Sequence, residues 1–168
     1  MINRGFCETF RLGDHDYQII GGTAEGSSDK INQDSFGYFY DGRCLIIVVA
    51  DGLGSAPSSH IGSRNMVESV FGVMSSSDSG KIWERIYKAW VSSIEGDPEQ
   101  CDTTCKFVCI RDETVTVGSI GDGWLGMIGA VGYHELENNN MFTNRTESIC
   151  SQNLEEKIRL FECDLQDV

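Results

Sequence analysis

The sequence predicts an α+β fold in which helices pack on antiparallel sheets. Three observations carry this. Residues 44–50 form an unbroken apolar run, CLIIVVA; two helix-period stretches lie between residues 59 and 94; short β-prone segments separated by turn residues follow from 103 onward. The 168 residues suit one domain, and an apolar fraction of 40% is enough to fill a core. A single domain over residues 1–168 is therefore expected.

Taken in order, Tyr17-Gln18-Ile19-Ile20 reads as a strand entering a Gly/Ser-rich stretch at 21–28. Residues 35–40 form a second strand, and Asp41-Gly42 is a hairpin turn signal. The β-branched run at 44–50 has no polar alternation, which marks a strand buried on both faces. It ends in the loop Asp51-Gly52-Leu53-Gly54-Ser55-Ala56-Pro57. A helix is predicted over 59–74, with Val67, Val70, Phe71 and Met74 on one face. A second is predicted over 81–94, with Trp83, Ile86, Tyr87, Trp90 and Ile94 aligned, ended by Gly96-Asp97-Pro98. Strands follow at 103–110, 114–120 and 124–131, with Asp112-Glu113 and Gly121-Asp122-Gly123 as turns. Residues 133–136 and 141–144 look like a pair around Asn138-Asn139-Asn140, and 157–162 begins one more strand.

Charge narrows the partners. Thirteen Lys plus Arg against 26 Asp plus Glu leave a net −13, which repels nucleic acid and anionic membrane surfaces. A chain this acidic that handles phosphate needs divalent cations. The seven cysteines suggest no disulfide framework, residues 1–10 hold no apolar leader, and no run approaches the roughly 20 apolar residues of a membrane span. A reducing, cytoplasmic compartment is the expectation. Cys101, Cys105 and Cys109, four apart, fall on one face of a strand and read as small core residues. The three His are scattered, which argues against a zinc site.

Three segments place an acid at a strand end: Asn32-Gln33-Asp34, Asp51-Gly52 and Gly121-Asp122-Gly123. Carboxylates beside glycines suit hard divalent cations, which take oxygen ligands and keep several waters. As single dipeptides these are also ordinary turn residues. Asp51 stands out because it follows a fully buried strand and precedes a Gly/Ser-rich loop.

In this order the segments resemble the protein phosphatase 2C family of metal-dependent serine/threonine protein phosphatases. Asn32-Gln33-Asp34-Ser35 is similar to the family's first acidic motif, and Val49-Ala50-Asp51-Gly52-Leu53-Gly54-Ser55-Ala56 to its Asp-Gly metal motif in bacterial form. Thr103-Thr104 resembles the Gly-Thr-Thr segment, and Val117-Gly118-Ser119-Ile120-Gly121-Asp122-Gly123 the Gly-Asp-Ser segment. The resemblance runs from about residue 17 to 163. It implies a sandwich of two antiparallel sheets with helices on both outer faces, and two Mn²⁺ or Mg²⁺ ions with a third position. Asp51 would bridge two ions, Gly52 would offer its carbonyl, Asp34 would hold metal-bound water and Asp122 would stand near the additional ion. Asp51 and Asp34 are thus the implied catalytic acids, and a phosphorylated protein is the implied substrate, hydrolysed by metal-activated water.

The sequence departs from the family pattern at several positions. Only Lys30 stands where the phosphate-binding Arg precedes the first motif. Gln33 stands for Glu, Leu53 for a His found in eukaryotic members, and Gly123 for Ser. The later Asp-Gly and Asn-x-x-Asp motifs have no counterpart before Val168. The last part of the fold is accordingly expected to be missing, leaving a sheet edge that would favour self-association. The alternative function is an inactive phosphatase-like domain that binds a protein partner, and metal dependence separates the two.

Overall fold

The fold is organised around the apolar run, which becomes the second strand of a five-stranded antiparallel sheet. The computed structural model describes residues 3–24, 31–76, 78, 80–129, 132–137 and 146–165. In chain order these are β1 (Asn3–Leu12), β2 (His15–Ala24), β3 (Asp34–Tyr40), β4 (Cys44–Asp51), α1 (Ser59–Met74) and α2 (Ile82–Ser93). A 3-10 turn at Pro98–Cys101 leads to β5 (Cys105–Arg111), β6 (Thr114–Ile120), β7 (Leu125–Gly129), β8 (Gly132–Glu137), the one-turn α3 (Leu154–Lys157) and β9 (Arg159–Asp164). The sheet order is β3-β4-β5-β6-β9; β1-β2 and β7-β8 form separate antiparallel ribbons.

Side-chain alternation sends the two faces of β4 into two cores. Cys44, Ile46, Val48 and Ala50 point with Cys105, Phe107 and Cys109 toward the helices, where Met66, Val70, Ile86 and Trp90 complete one cluster. Leu45 joins Ile110, Val115 and Val117 on the other face, under Leu12 and Ile19 of the β1-β2 hairpin. That hairpin is the second layer. Phe6 and Phe10 pack on Tyr38 at 5.0 and 5.1 Å between ring centroids, and Phe10 also meets Tyr40.

The α+β architecture of two antiparallel layers with helices is as expected, and 59–74 is helical over its whole predicted span. Four details differ. β1 has no counterpart among the expected strands; its inward Phe6, Phe10 and Leu12 alternate with polar residues and find their partners only across the layers. Residues 133–136 pair with β7, and 141–144 lie outside the described residues. The strand series does not run on in order: β9, not β7, pairs with β6. Among the described residues, helices of more than one turn pack on one face of the sandwich, and the outer face of the hairpin carries none, leaving Ile20 exposed.

No helix among the described residues is long and apolar enough to cross a membrane. The cysteine reading holds in substance. Cys105 and Cys109 share the helix-facing side of β5, and Cys101 is buried in the 3-10 turn. Burial pushes the Cys105 thiol up to about 12 and that of Cys109 to about 11, which keeps both protonated and inert.

Candidate functional site

The β3-β4 hairpin brings two of the three acids together. Asp41 accepts hydrogen bonds at its side chain from the backbone N–H groups of Arg43 (2.8 Å) and Cys44 (3.0 Å), which fixes the turn and with it the register. In that register the first residue of β3 lies opposite the last residue of β4: Asp34 pairs with Asp51. A slip of one residue would put the two carboxylates on opposite faces. Asp122 arrives from the turn after β6.

Asp51 is pinned at its backbone from β5's approach. Its N–H donates to Thr104 Oγ1 (3.0 Å), and its carbonyl accepts from the Thr104 N–H (2.8 Å) and Thr103 Oγ1 (3.0 Å). The Thr-Thr pair therefore orients the acid on the neighbouring strand. Asp34 is held by a second set: Asn32 Oδ1 accepts its N–H (3.1 Å), and Asn32 Nδ2 donates to Thr23 Oγ1 (3.1 Å), which donates to Asp34 Oδ2 (3.4 Å).

Gly52 is required by close approach. A Cβ there would lie 2.8 Å from the Gln33 carbonyl oxygen and 2.8 Å from both Cβ and the carbonyl oxygen of Ser59. Its N–H donates to the Gln33 carbonyl (3.2 Å), tying the two acidic segments together. The neighbouring Asp102 accepts from Thr103 N–H, Cys150 N–H and Ser148 Oγ, and so fastens residues 148–150 against the Asp51 loop. The Cys150 thiol is pushed up to about 12, by burial first and then by the Asp102 charge, so it is no nucleophile.

Asp34 faces Asp51 across the hairpin, and Asp51 and Asp122 line common cavities. The Asp51 carboxyl is pushed up to about 6, by burial first, then by its hydrogen bond to Asp34, then by the charges of Asp34 and Asp122. Oxygen donors crowded to this degree fit a hard divalent cation, whose charge would relieve the repulsion. Among the described residues no three His, Cys, Asp or Glu side chains form a ready cage. The protein side of such a site is therefore partial, as suits ions that keep several waters.

Because its folded-state pKa is raised, Asp51 favours the folded chain when protonated and works against it once ionised. In the absence of cations the stability advantage of Asp51→Asn over the parent should be absent near pH 4, grow through pH 6 and level off above it. Thermal melts from pH 4 to 8 in chelator check this; an advantage that shrinks as pH rises would contradict the crowding.

Asp51 lines three cavities. One of about 530 Å³ also contains Gly52, Glu99, Asp102 and Asp122. A second, of about 380 Å³, joins Asp51 and Asp122 to Lys106 and Trp124. A third, of about 450 Å³, runs past Asp34 toward Phe6 and Thr23. His60, in the first turn of α1, lines none of the three. Lys30, the expected phosphate contact, lies outside the described residues. Sequence reasoning missed Thr23, Asp102, Lys106 and Thr146, whose hydroxyl donates to Asp122 Oδ2 (3.2 Å). The only signal for them was their nearness in sequence to a motif or a Gly turn.

Comparison with known proteins adds the following. The sequence profile described as Protein phosphatase 2C matches residues 21–168. No curated protein sequence matches the chain. The fold is similar to that of Stp1, a serine/threonine phosphatase of Staphylococcus aureus (14% identity, TM-score 0.60, 97% of this chain and 71% of that one). It is similar to the S. agalactiae serine/threonine phosphatase (18%, TM-score 0.56, 98% and 75%). It is also similar to the catalytic domain of the serine/threonine phosphatase PstP, solved in complex with two manganese ions (12%, TM-score 0.58, 96% and 72%).

Proposed function

The chain belongs to the protein phosphatase 2C family, and on that premise we propose that it is a metal-dependent phosphatase that hydrolyses phosphoserine and phosphothreonine in proteins. The observation that carries this is the pairing of Asp34 with Asp51 across the β3-β4 hairpin, together with the cavities that Asp51 and Asp122 share. The manganese ions of the PstP complex support Mn²⁺ as the natural choice, with Mg²⁺ as the alternative.

Asp51, Asp34, Asp122 and the Gly52 carbonyl would hold the ions. Bound divalent cations supply charge for the phosphoryl oxygens and make water a nucleophile near neutral pH. The chain's own residues then have three tasks. Thr103 and Thr104 hold the Asp51 backbone rigid, so its carboxylate need not reorganise. Asn32 and Thr23 set Asp34 at its backbone and carboxylate, and that carboxylate would orient water and accept its proton. Residues 146–152 wall the approach to Asp122 and narrow the route for solvent. Lys30 remains the proposed phosphate contact on the substrate side.

Hydrolysis of a phosphothreonine peptide with Mn²⁺ and then with chelator tests the reading. Activity that appears only with Mn²⁺ supports it. A folded chain inert with both Mn²⁺ and Mg²⁺ would sink the enzyme and leave the partner-binding alternative. Self-association belongs to the same proposal: β9, the last strand of the described sheet, leaves Leu160 and Phe161 each 47% exposed. Sedimentation should find a dimer that Phe161→Lys dissolves; a monomer at all concentrations would remove this part.

A further inference from the structure

Lys106 lies between Thr103-Thr104 and the segment at 117–123, on a largely apolar face of the sheet. β5 turns Cys105, Phe107 and Cys109 to the helices, so Lys106 faces the opposite side, with Val108 and Ile110. A lysine is costly on a largely apolar face unless its ammonium is satisfied. It donates to the hydroxyl of Ser119 (2.6 Å), its cross-strand partner, and to the carbonyl of Gly121 (3.2 Å).

That carbonyl opens the turn that carries Asp122. The turn is built on two positive-φ glycines, Gly121 at 96° and Gly123 at 102°. Such a turn has little stiffness of its own. The lysine stem also runs beside it: a Cβ on Gly123 would meet Lys106 Cε at 3.1 Å. A serine at 123 would be strained by its φ, and Lys106 would have to shift by a few tenths of an ångström to admit it. Thr146 holds Asp122 from the other side, at its carboxylate. Lys106, Asp122 and Asp51 line one cavity.

We propose that Lys106 is a positioning residue that anchors the 121–123 turn and so keeps Asp122 set toward Asp51; this rests on the reading of Asp122 as a metal-side acid. Lys106 acts through Asp122 and touches neither substrate nor ion.

A double-mutant cycle tests this. Mn²⁺ affinity is measured by titration calorimetry for the parent, Lys106→Met, Asp122→Asn and the double variant, with kcat and KM for p-nitrophenyl phosphate and a melting curve for each. Lys106→Met, of similar length but without a donor, should weaken Mn²⁺ binding about tenfold, the scale of losing an outer partner of a metal ligand. In the Asp122→Asn background the same change should cost nothing further. Lys106→Gln, which keeps an N–H donor, should lose less than Lys106→Met. An unchanged affinity in Lys106→Met, an equal loss in both backgrounds, or an equal loss in Gln and Met overturns the proposal. A parent that binds no Mn²⁺ overturns the metal-site reading itself, which keeps the two failures apart.

Discussion

Asp51→Asn is expected to lower Mn²⁺-dependent hydrolysis of p-nitrophenyl phosphate by about 10³-fold, with the circular dichroism spectrum unchanged. Removing one fixed electrostatic contact to a transition state already costs about 10²–10³-fold, and Asp51 is the acid on which the others converge. Asn keeps the shape and loses the charge. Its backbone hydrogen bonds to Thr103 and Thr104 do not involve the carboxylate and should persist. The loss should fall in kcat/KM at saturating Mn²⁺ and reach about 4 kcal/mol of transition-state stabilisation. A folded Asp51→Asn chain as active as the parent would remove Asp51 from the centre of the site.

The largest effect on stability is expected at Trp90. Its side chain is fully buried in the helix-facing core, and its Nε1–H donates to the Gly62 carbonyl (2.9 Å), joining α2 to α1. Trp90→Ala should cost about 3–5 kcal/mol through lost burial and the cavity left behind. At about 2–4 °C per kcal/mol for a chain of this size, a calorimetric melt would see it readily. Trp90→Phe keeps most of the volume and should cost roughly the hydrogen bond and a smaller void, about 1–2 kcal/mol. The damage should reach the site, because α1 starts directly after the Asp51 loop and Ser58 N–H donates to the Gln100 carbonyl (2.8 Å). Equal stability of the Ala variant and the parent would mean that the α1-α2 packing is wrongly described.

What the sequence made legible follows from locality. CLIIVVA could be read as a buried strand because its residues are all apolar, but the burial is complete only on the helix-facing side: on the other, Leu45 is buried, Ile47 half-buried and Val49 55% exposed. The 59–74 helix could be read because Val67, Val70 and Met74 repeat at the helical period and are indeed buried. Asp34, Asp51 and Asp122 were legible as acids at strand ends, yet their meeting depends on register and strand order, which no local pattern encodes. β1 was missed because its inward residues are sparse and gain their partners from β3, across a layer. The β6-β9 pairing was illegible for the same reason, since a separate ribbon lies between the two strands in sequence. Lys106 looked like an ordinary residue of a β-prone run; only the turn beside it in space gives it a task.

The hydrogen bond from Asp51 to Thr104 spans 53 residues, and both long helices lie within that interval. Closing so long an excursion carries an entropy cost that must be met before either partner gains from the contact. Asp34 and Asp51 can meet within the local β3-β4 hairpin, but Asp122, on the turn after β6, joins them only once β5 has paired with β4 and β6 with β5. A chain in which β5 has yet to pair would hold Asp34 and Asp51 without Asp122, an incomplete set of donors. On the proposed metal reading, full cation capture would then be a late event that selects finished molecules, and a half-folded copy would have no hydrolytic power to misdirect.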